Sequence, residues 1–265
     1  MNVLLTSIGR RVQIVNFFKK VLGGKGYVYS TDVDRTAPGL YCSDKGIVVP
    51  PVANENEYIS KIIEICNKEN INLIIPFIDP ELPLLARNKE IISYNTNAIV
   101  LVSSFEVVNI CNDKLLTAKF FTKNDIPTPF TWEKSNFVWQ NFPVIVKPRF
   151  GSAGKGVYEC DSGSKLKLFL QEEDVIIQQK LNGFEVTLDV LCDLNSNCLA
   201  IVPRKRLKIR AGEVERGITI KSDELLQWGQ KIVSLLKPIG PINIQCFIVN
   251  NEPFFTEINP RFGGG

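Results

Sequence analysis

Short apolar runs and stretches of helical periodicity alternate over the first hundred positions of this chain. Residues 3–7 form an apolar run closed by a serine; after Gly9, the positions Val12, Val15, Phe18 and Leu22 recur at helical spacing. Further runs at 27–31, 45–49, 73–77 and 98–102 predict four more strands. Between them, Tyr58, Ile62, Ile65 and Cys66 mark the apolar face of an amphipathic helix whose other face carries Lys61, Glu64 and Lys68. Another helix is predicted over 81–92. Strands alternating with helices predict a parallel sheet covered on both faces.

The pattern changes from about residue 104. Two helices are predicted, one over 105–111 and one starting at Asn112 or Asp113 as N-cap, with Pro127 and Pro129 ending the segment. Beyond Pro143 the apolar runs at 144–147, 157–160, 175–179, 186–192, 198–203, 242–249 and 254–258 predict antiparallel strands. Asn250-Asn251 marks a hairpin turn, and helices interrupt at 164–170 and 223–236. No internal repeat is visible. The expected architecture is α/β and α+β: a Rossmann-like domain over 1–103, then a second domain over 104–265. The first domain lacks a dinucleotide fingerprint, because Ser7-Ile8-Gly9-Arg10-Arg11 supplies one glycine where three are required. Asp32 and Asp34 end the second strand, where a ribose-binding acid could lie, but a scaffold open to some other ligand is the better reading.

Composition narrows the chemistry. The chain has 265 residues, 45% hydrophobic and 22% charged, which is ordinary globular material. A formal charge of +3 is too small to argue for nucleic acid or a membrane surface. There is no histidine, which excludes Ser-His-Asp triads, Cys-His dyads and His-ligated zinc. The seven cysteines form no C-x-x-C pair and lie mostly in apolar stretches, as reduced thiols of a cytoplasmic protein would. No apolar run approaches the roughly 20 residues that span a bilayer, and no leader is expected.

Two constellations carry the chemistry. In the first, Lys147 ends an apolar strand and leads through Pro148 into a loop with Gly151, Ser152, Gly154, Lys155 and Gly156. Successive amides of such a loop can cradle an anion, although a hairpin with a chance lysine fits the same residues. It is not a Walker loop. In the second, Glu257-Ile258-Asn259 places a carboxylate and an amide at i and i+2, on one strand face, with Gln245 on the preceding strand of the hairpin. Hard oxygen ligands, few from protein, suit magnesium opposite a triphosphate. Arg261 follows, placed for an anionic substrate or a transferring phosphoryl group. The alternative is a polar edge strand followed by a surface arginine. Between these, Gln179-Lys180-Leu181 is a polar connector able to read an adenine edge, and Glu185 opens the next strand. Arg206, Lys208 and Arg210 share a strand face that would line a phosphate site or serve as a solvated edge.

In this order, Lys114, Lys147, the glycine loop, the Gln-Gln-Lys-Leu connector, Glu185, Gln245 and Glu-x-Asn-Pro-Arg resemble the ATP-grasp superfamily. The likeness is to single-module relatives of the carbamoyl phosphate synthase large subunit, including carboxylate–amine ligases. The resemblance implies a Rossmann-like pre-ATP-grasp domain before a two-lobed ATP-grasp domain, with a small lobe about 115–178 and a metal-binding lobe about 182–265. It also implies roles. Lys114 and Lys147 would contact the ATP phosphates under a flap at 151–156, Gln179, Lys180 and Leu181 would take the adenine, and Glu185 the ribose. Gln245, Glu257 and Asn259 would hold one or two Mg2+ ions, with Mn2+ as a substitute, and Arg261 would face an acyl phosphate. Arg206 joins the nucleotide-binding set. The chain departs from the family at Gln179, where a glutamate is common, and at Gln245, where many members carry an acid. Relatives usually continue beyond Gly263-Gly264-Gly265.

The implied reaction joins a carboxylate, activated as acyl phosphate, to an amine. A carbamoyl-phosphate-forming half with an ammonia-supplying partner and a nucleotide-binding module without catalysis are the alternatives. Small-molecule carboxylate and amine substrates are implied; a homodimer or a partner subunit is left open.

Overall fold

The computed structural model describes residues 1–137, 143–151, 154–170, 174–210 and 213–263. The chain separates into two compact units, Met1–Phe105 and Glu106–Gly263.

In the first unit the elements run β1 (Asn2–Thr6), α1 (Val12–Leu22), β2 (Val28–Asp32), α2 (Pro38–Cys42), β3 (Lys45–Val48), α3 (Glu55–Lys68), β4 (Ile71–Pro76), α4 (Glu81–Arg87), α5 (Lys89–Asn95) and β5 (Ile99–Val100). Over the described residues these strands form one parallel sheet in the order β3-β2-β1-β4-β5. The predicted alternation is present because the central strands are apolar on both faces: Val3, Leu4 and Leu5 are fully buried, as are Ile74 and Ile75 to within 1%. The predicted 81–92 helix is two helices, since Asn88 closes the first and opens the second. The short α2 was not predicted; Pro38 starts it.

The second unit contains α6 (Phe105–Asn112), α7 (Lys114–Lys123), β6 (Thr131–Glu133), β7 (Val144–Pro148), β8 (Tyr158–Cys160), α8 (Gly163–Phe169), β9 (Val175–Gln179), β10 (Phe184–Cys192), β11 (Cys198–Arg210), β12 (Glu213–Thr219), α9 (Asp223–Leu236), β13 (Gly240–Val249) and β14 (Glu252–Asn259). Over the described residues they make two antiparallel sheets, β6-β9-β7-β8 and β12-β11-β10-β13-β14. Asn250 and Asn251 both take positive φ, 50° and 68°, as the tight turn joining β13 to β14 requires.

Each sheet has its own core. Val144, Val146, Cys160, Leu166 and Ile177 fill the smaller one. Beneath the larger sheet, Val186, Leu188 and Val190 of β10 and Ile242, Ile244 and Cys246 of β13 meet Phe121 of α7 and Leu225, Ile232 and Leu236 of α9. The sequence boundary of 115 for the small lobe takes in α7, whose apolar face lies in this larger core. β11 continues through the charged stretch to Arg210, seven residues past the apolar run that predicted it, and β12, which was not predicted, pairs with it. The seven cysteines are free thiols. No helix among the described residues is long and apolar enough to cross a membrane.

Candidate functional site

The core residues of the larger sheet take alternate positions, so the positions between them share the opposite face. Register places Thr187 of β10 opposite Arg204 of β11 and Gln245 of β13, with Gln245 opposite Glu257 of β14. One step along lie Asp189, Asn243 and Asn259. One step the other way, Glu185 sits opposite Phe247, and its carboxylate accepts from Arg206 Nη1 at 2.9 Å. The polar face therefore runs from Arg206–Glu185, through Gln245–Glu257, to Asn243–Asn259.

Strict alternation would not have produced this arrangement. Phe255 is fully buried in the core, and Glu257, two residues on, would follow it inward. Instead β14 bulges: Phe255 pairs with Cys246 and Glu257 with Gln245, leaving Thr256 as the extra residue. The bulge resets the phase, so Ile258 re-enters the core while Glu257 and Asn259 take the polar face. Gln245 and Glu257 are partly exposed, and Asn259 is buried at 8%.

Beyond Asn259 the chain turns at Pro260, and Arg261 folds back. Its Nη1 donates to the Phe262 carbonyl at 2.9 Å and its Nη2 approaches Asn259 Oδ1 at 3.5 Å. Asn243 donates to Asp189 Oδ1 at 2.8 Å, and Arg204 grips the same carboxylate at 2.9 and 3.2 Å. Asp189, Arg204 and Asn243 were not singled out from sequence; only the strand register brings them beside Asn259.

On the smaller sheet, Lys147 donates through Nζ to Gln178 Oε1 at 2.8 Å, and Gln178 Nε2 donates to Thr131 Oγ1 at 2.8 Å. Burial pushes the Lys147 amine down to about 8; the Glu257 and Glu185 carboxylates pull it up, and the Lys114 ammonium opposes them. These couplings bring Lys147, Lys114, Glu185 and Glu257, far apart in sequence, into one electrostatic neighbourhood. A cation held there with a depressed pKa is one that an added anion would stabilise. The side chain oriented at Lys147 is Gln178, whereas the connector residue chosen from sequence was Gln179. The Gln179 amide donates to the Phe130 carbonyl at 2.8 Å, fastening β9 to the segment before β6. Lys180 sends its ammonium to Glu159 at 2.6 Å, so only its main chain is left for an adenine, and Leu181 is half-buried beside it.

Of the glycine loop, Gly151, Gly154, Lys155 and Gly156 are described and Ser152 lies outside the described residues. Gly156 has φ +70°, and a Cβ there would sit 2.9 Å from Pro148 Cγ, so the loop returns hard against the end of β7. Lys114 donates through Nζ to the Gly151 carbonyl at 2.5 Å. The Arg206, Lys208, Arg210 row does not survive as one face. The β11–β12 register slips between Arg206 and Lys208; Arg206 turns to Glu185, and Lys208 pairs with Glu215 in solvent.

In the first unit, the ends of β1 and β4 meet where the strand order reverses, the usual crevice of such sheets. Asp32, considered from sequence as a ribose acid, instead accepts from the amides of Gly9 at 2.7 Å and Asp34 at 2.9 Å. Arg11 caps the Ser7 and Ile8 carbonyls and lies over the Phe77 ring. Glu81 is fully buried and accepts from Tyr58 Oη at 2.7 Å, Phe77 N at 2.9 Å and Ser7 Oγ at 3.0 Å. These groups fasten the loops around the crevice.

The donor set can be tested against a metal. Gln245, Glu257 and Asn259 offer one carboxylate and two amide oxygens, and no group of three or more His, Cys, Asp or Glu able to hold a metal occurs among the described residues. Such a set is hard but sparse. It suits an ion that completes its shell with phosphate and water, as Mg2+ does, rather than one caged by protein.

Residues 111–265 match the ATP-grasp domain family, and residues 3–100 match the family described as PylC-like, N-terminal domain. The carbamoyl phosphate synthase large chain of Lachnoclostridium phytofermentans is 27% identical over 187 residues, 61% of this chain and 17% of that protein. A carbamoyl-phosphate synthase of Methanobrevibacter smithii is 28% identical over 169 residues, covering 61% of this chain and 44% of that one. The chain thus spans less than half the length of these curated relatives. Among solved structures, the L-amino acid ligase from Bacillus licheniformis superposes with a TM-score of 0.77 at 16% identity, over 99% of this chain and 67% of that one. The N5-carboxyaminoimidazole synthetase from Staphylococcus aureus, complexed with ADP, gives 0.78 at 16% identity, over 99% and 71%. At these identities the likeness is one of fold.

Proposed function

The chain belongs to the ATP-grasp domain family, and from that premise we propose that it is an ATP- and Mg2+-dependent ligase joining a carboxylate to an amine. The observation that carries the reading is the coupling of Lys147 to Lys114 and to Glu257, which shares its strand face with Gln245 and Asn259: the lysines suit phosphate oxygens and the oxygen donors a hard cation.

In this reading Lys114 and Lys147 bind the phosphate chain together with the glycine loop, for which Gly151, Gly154, Lys155 and Gly156 are proposed, as is Ser152 from the sequence alone. The main chain of Gln179, Lys180 and Leu181 reads the adenine edge, with Phe247 beside it on the sheet. Glu185, oriented by Arg206, takes the ribose hydroxyls. Gln245, Glu257 and Asn259 would hold one or two Mg2+ ions, or Mn2+ in their place; bound there, the ion supplies positive charge to the transferring phosphoryl oxygens. A carboxylate oxygen of the substrate attacks the γ-phosphorus, the bond to the ADP oxygen breaks, and an acyl phosphate forms. An amine then attacks the acyl carbon, inorganic phosphate departs with the bonding electrons, and the nitrogen loses a proton to give the amide. Arg261, at the Asn259 end of the face, offsets charge on the acyl phosphate. Catalysis comes from positioning and charge neutralisation, with no covalent enzyme intermediate, as a chain without histidine allows.

A screen of carboxylate and amine pairs for ADP release tests the proposal, with Glu257→Gln as control. Turnover that needs both substrates and disappears in the variant supports it; undiminished turnover in Glu257→Gln sinks the metal assignment. The carbamoyl phosphate synthase relatives favour a second reading, phosphorylation of a small acid by the same residues. ADP release with bicarbonate and ammonia, and with no other carboxylate, would select it. Nucleotide binding with no ADP release from any substrate pair would favour a module without catalysis.

A further inference from the structure

We infer that Asp113 and Arg149 are a positioning pair that holds Lys114 and Lys147 in one constellation; the inference rests on the nucleotide reading above. Asp113 is 2% exposed and works on two elements at once. Its Oδ1 accepts from the amides of Leu115 and Leu116 at 3.0 and 3.3 Å, capping α7, whose first residue is Lys114. The same carboxylate takes the Arg149 guanidinium through both oxygens: Nε at 2.8 and 2.9 Å, Nη2 at 2.6 Å. The main chain closes a second link, since Lys114 N donates to the Arg149 carbonyl at 3.1 Å. Arg149 N in turn donates to the Asp174 carbonyl at 2.7 Å, so the arginine is held from both sides.

Capping alone does not call for this arrangement. Asparagine or serine would cap α7 as well, and neither could offer two anionic oxygens to a planar fork. What the fork adds is a connection to β7. Arg149 lies two residues beyond Lys147, and Pro148 between them has its φ fixed by its ring, so the orientation of the guanidinium is passed to the strand end bearing Lys147. One buried carboxylate thereby sets the spacing of two ammonium groups that repel each other, an arrangement with a purpose only if an anion is to lie between them.

Calorimetric titration of the full chain with Mg-ADP tests the pair. Asp113→Asn retains the cap but not the charge, and Arg149→Lys retains the charge but not the fork. Both variants are expected to keep the wild-type circular dichroism and to bind Mg-ADP roughly tenfold more weakly. In a Lys114→Met, Lys147→Met background the same changes should cost less than about threefold, because both groups they position are gone. Wild-type affinity in both variants overturns the pair, and so does a full tenfold loss that persists when both lysines are methionine. Should Asp113→Asn not fold, Arg149→Lys decides alone by the same two comparisons. If Lys114→Met and Lys147→Met themselves bind Mg-ADP like wild type, the nucleotide reading falls and the pair with it, a result distinct from failure of the pair alone.

Discussion

Gln245 and Glu257 are cross-strand partners on β13 and β14, an amide facing a carboxylate at the middle of the polar face. With Asn259 they make a donor set carrying a single negative charge. Glu257→Gln removes that charge, and ADP release is expected to fall at least about 100-fold. Gln245→Glu should act oppositely on the metal, lowering the Mg2+ concentration for half-maximal ADP release by roughly tenfold. Titration of ADP release with MgCl2, after stripping with EDTA, checks both directions.

The Lys147 amine is pushed down to about 8 by burial, so its charge is lost as pH rises through that value. A bound phosphate favours the ammonium form, and above about pH 8 nucleotide binding must therefore recapture a proton. Affinity for Mg-ADP is expected to be flat below that pH and to weaken above it, toward tenfold per unit. Calorimetry at about pH 8.5 in two buffers of different ionisation enthalpy should show uptake of roughly half a proton to one proton. Equal heats in the two buffers would refute this.

Arg206 has 9% of its side chain exposed and spends a hydrogen bond on Glu185. Glu185→Gln removes the charge from that ion pair, at an expected cost of about 1–2 kcal/mol, because Glu185 itself is a third exposed and solvent screens the pair. The variant should also lose discrimination between ATP and its 2′-deoxy analogue. Urea denaturation measures the first effect and competition binding the second.

Gly156→Ala places a methyl group 2.9 Å from Pro148 Cγ at a φ of +70°. Strain of about 1–2 kcal/mol is expected, relieved by moving the loop off the end of β7. Weaker Mg-ADP binding with a smaller change in thermal stability would place the loss in the loop; an unchanged affinity would show that the loop does not meet the nucleotide.

Much of this architecture is legible in the chain because alternation and helical spacing report which faces are buried. Leu188, Ile244 and Ile258 predict a buried sheet face, and Val12, Val15 and Phe18 predict α1. What periodicity cannot report is a register between distant strands. The grouping of Asp189 with Asn243, and of Asp113 with Arg149, needs strands and helices separated by 54 and 36 positions to be laid side by side. Composition also misled. β12 was not predicted, because its side chains are largely charged on a ribbon with little core beneath it, and the same charges left the end of β11 open between a phosphate site and a solvated edge strand. Gln178 and Gln179 are adjacent amides, and only the pairing of β7 with β9 decides that Gln178 meets Lys147.

The bulge at Thr256 also bears on how the gene can change length. A one-residue insertion or deletion inside β10 or β13 would exchange the two sides of the strand beyond it, driving Gln245 or Glu185 into hydrocarbon and Ile244 into water. Deleting Thr256 is different. Phe255, Glu257, Ile258 and Asn259 would then alternate in simple order, with each side chain already on the side it now occupies. This hairpin carries one position where a codon can be lost without inverting the sheet, and it lies directly before the carboxylate on which the proposed chemistry depends.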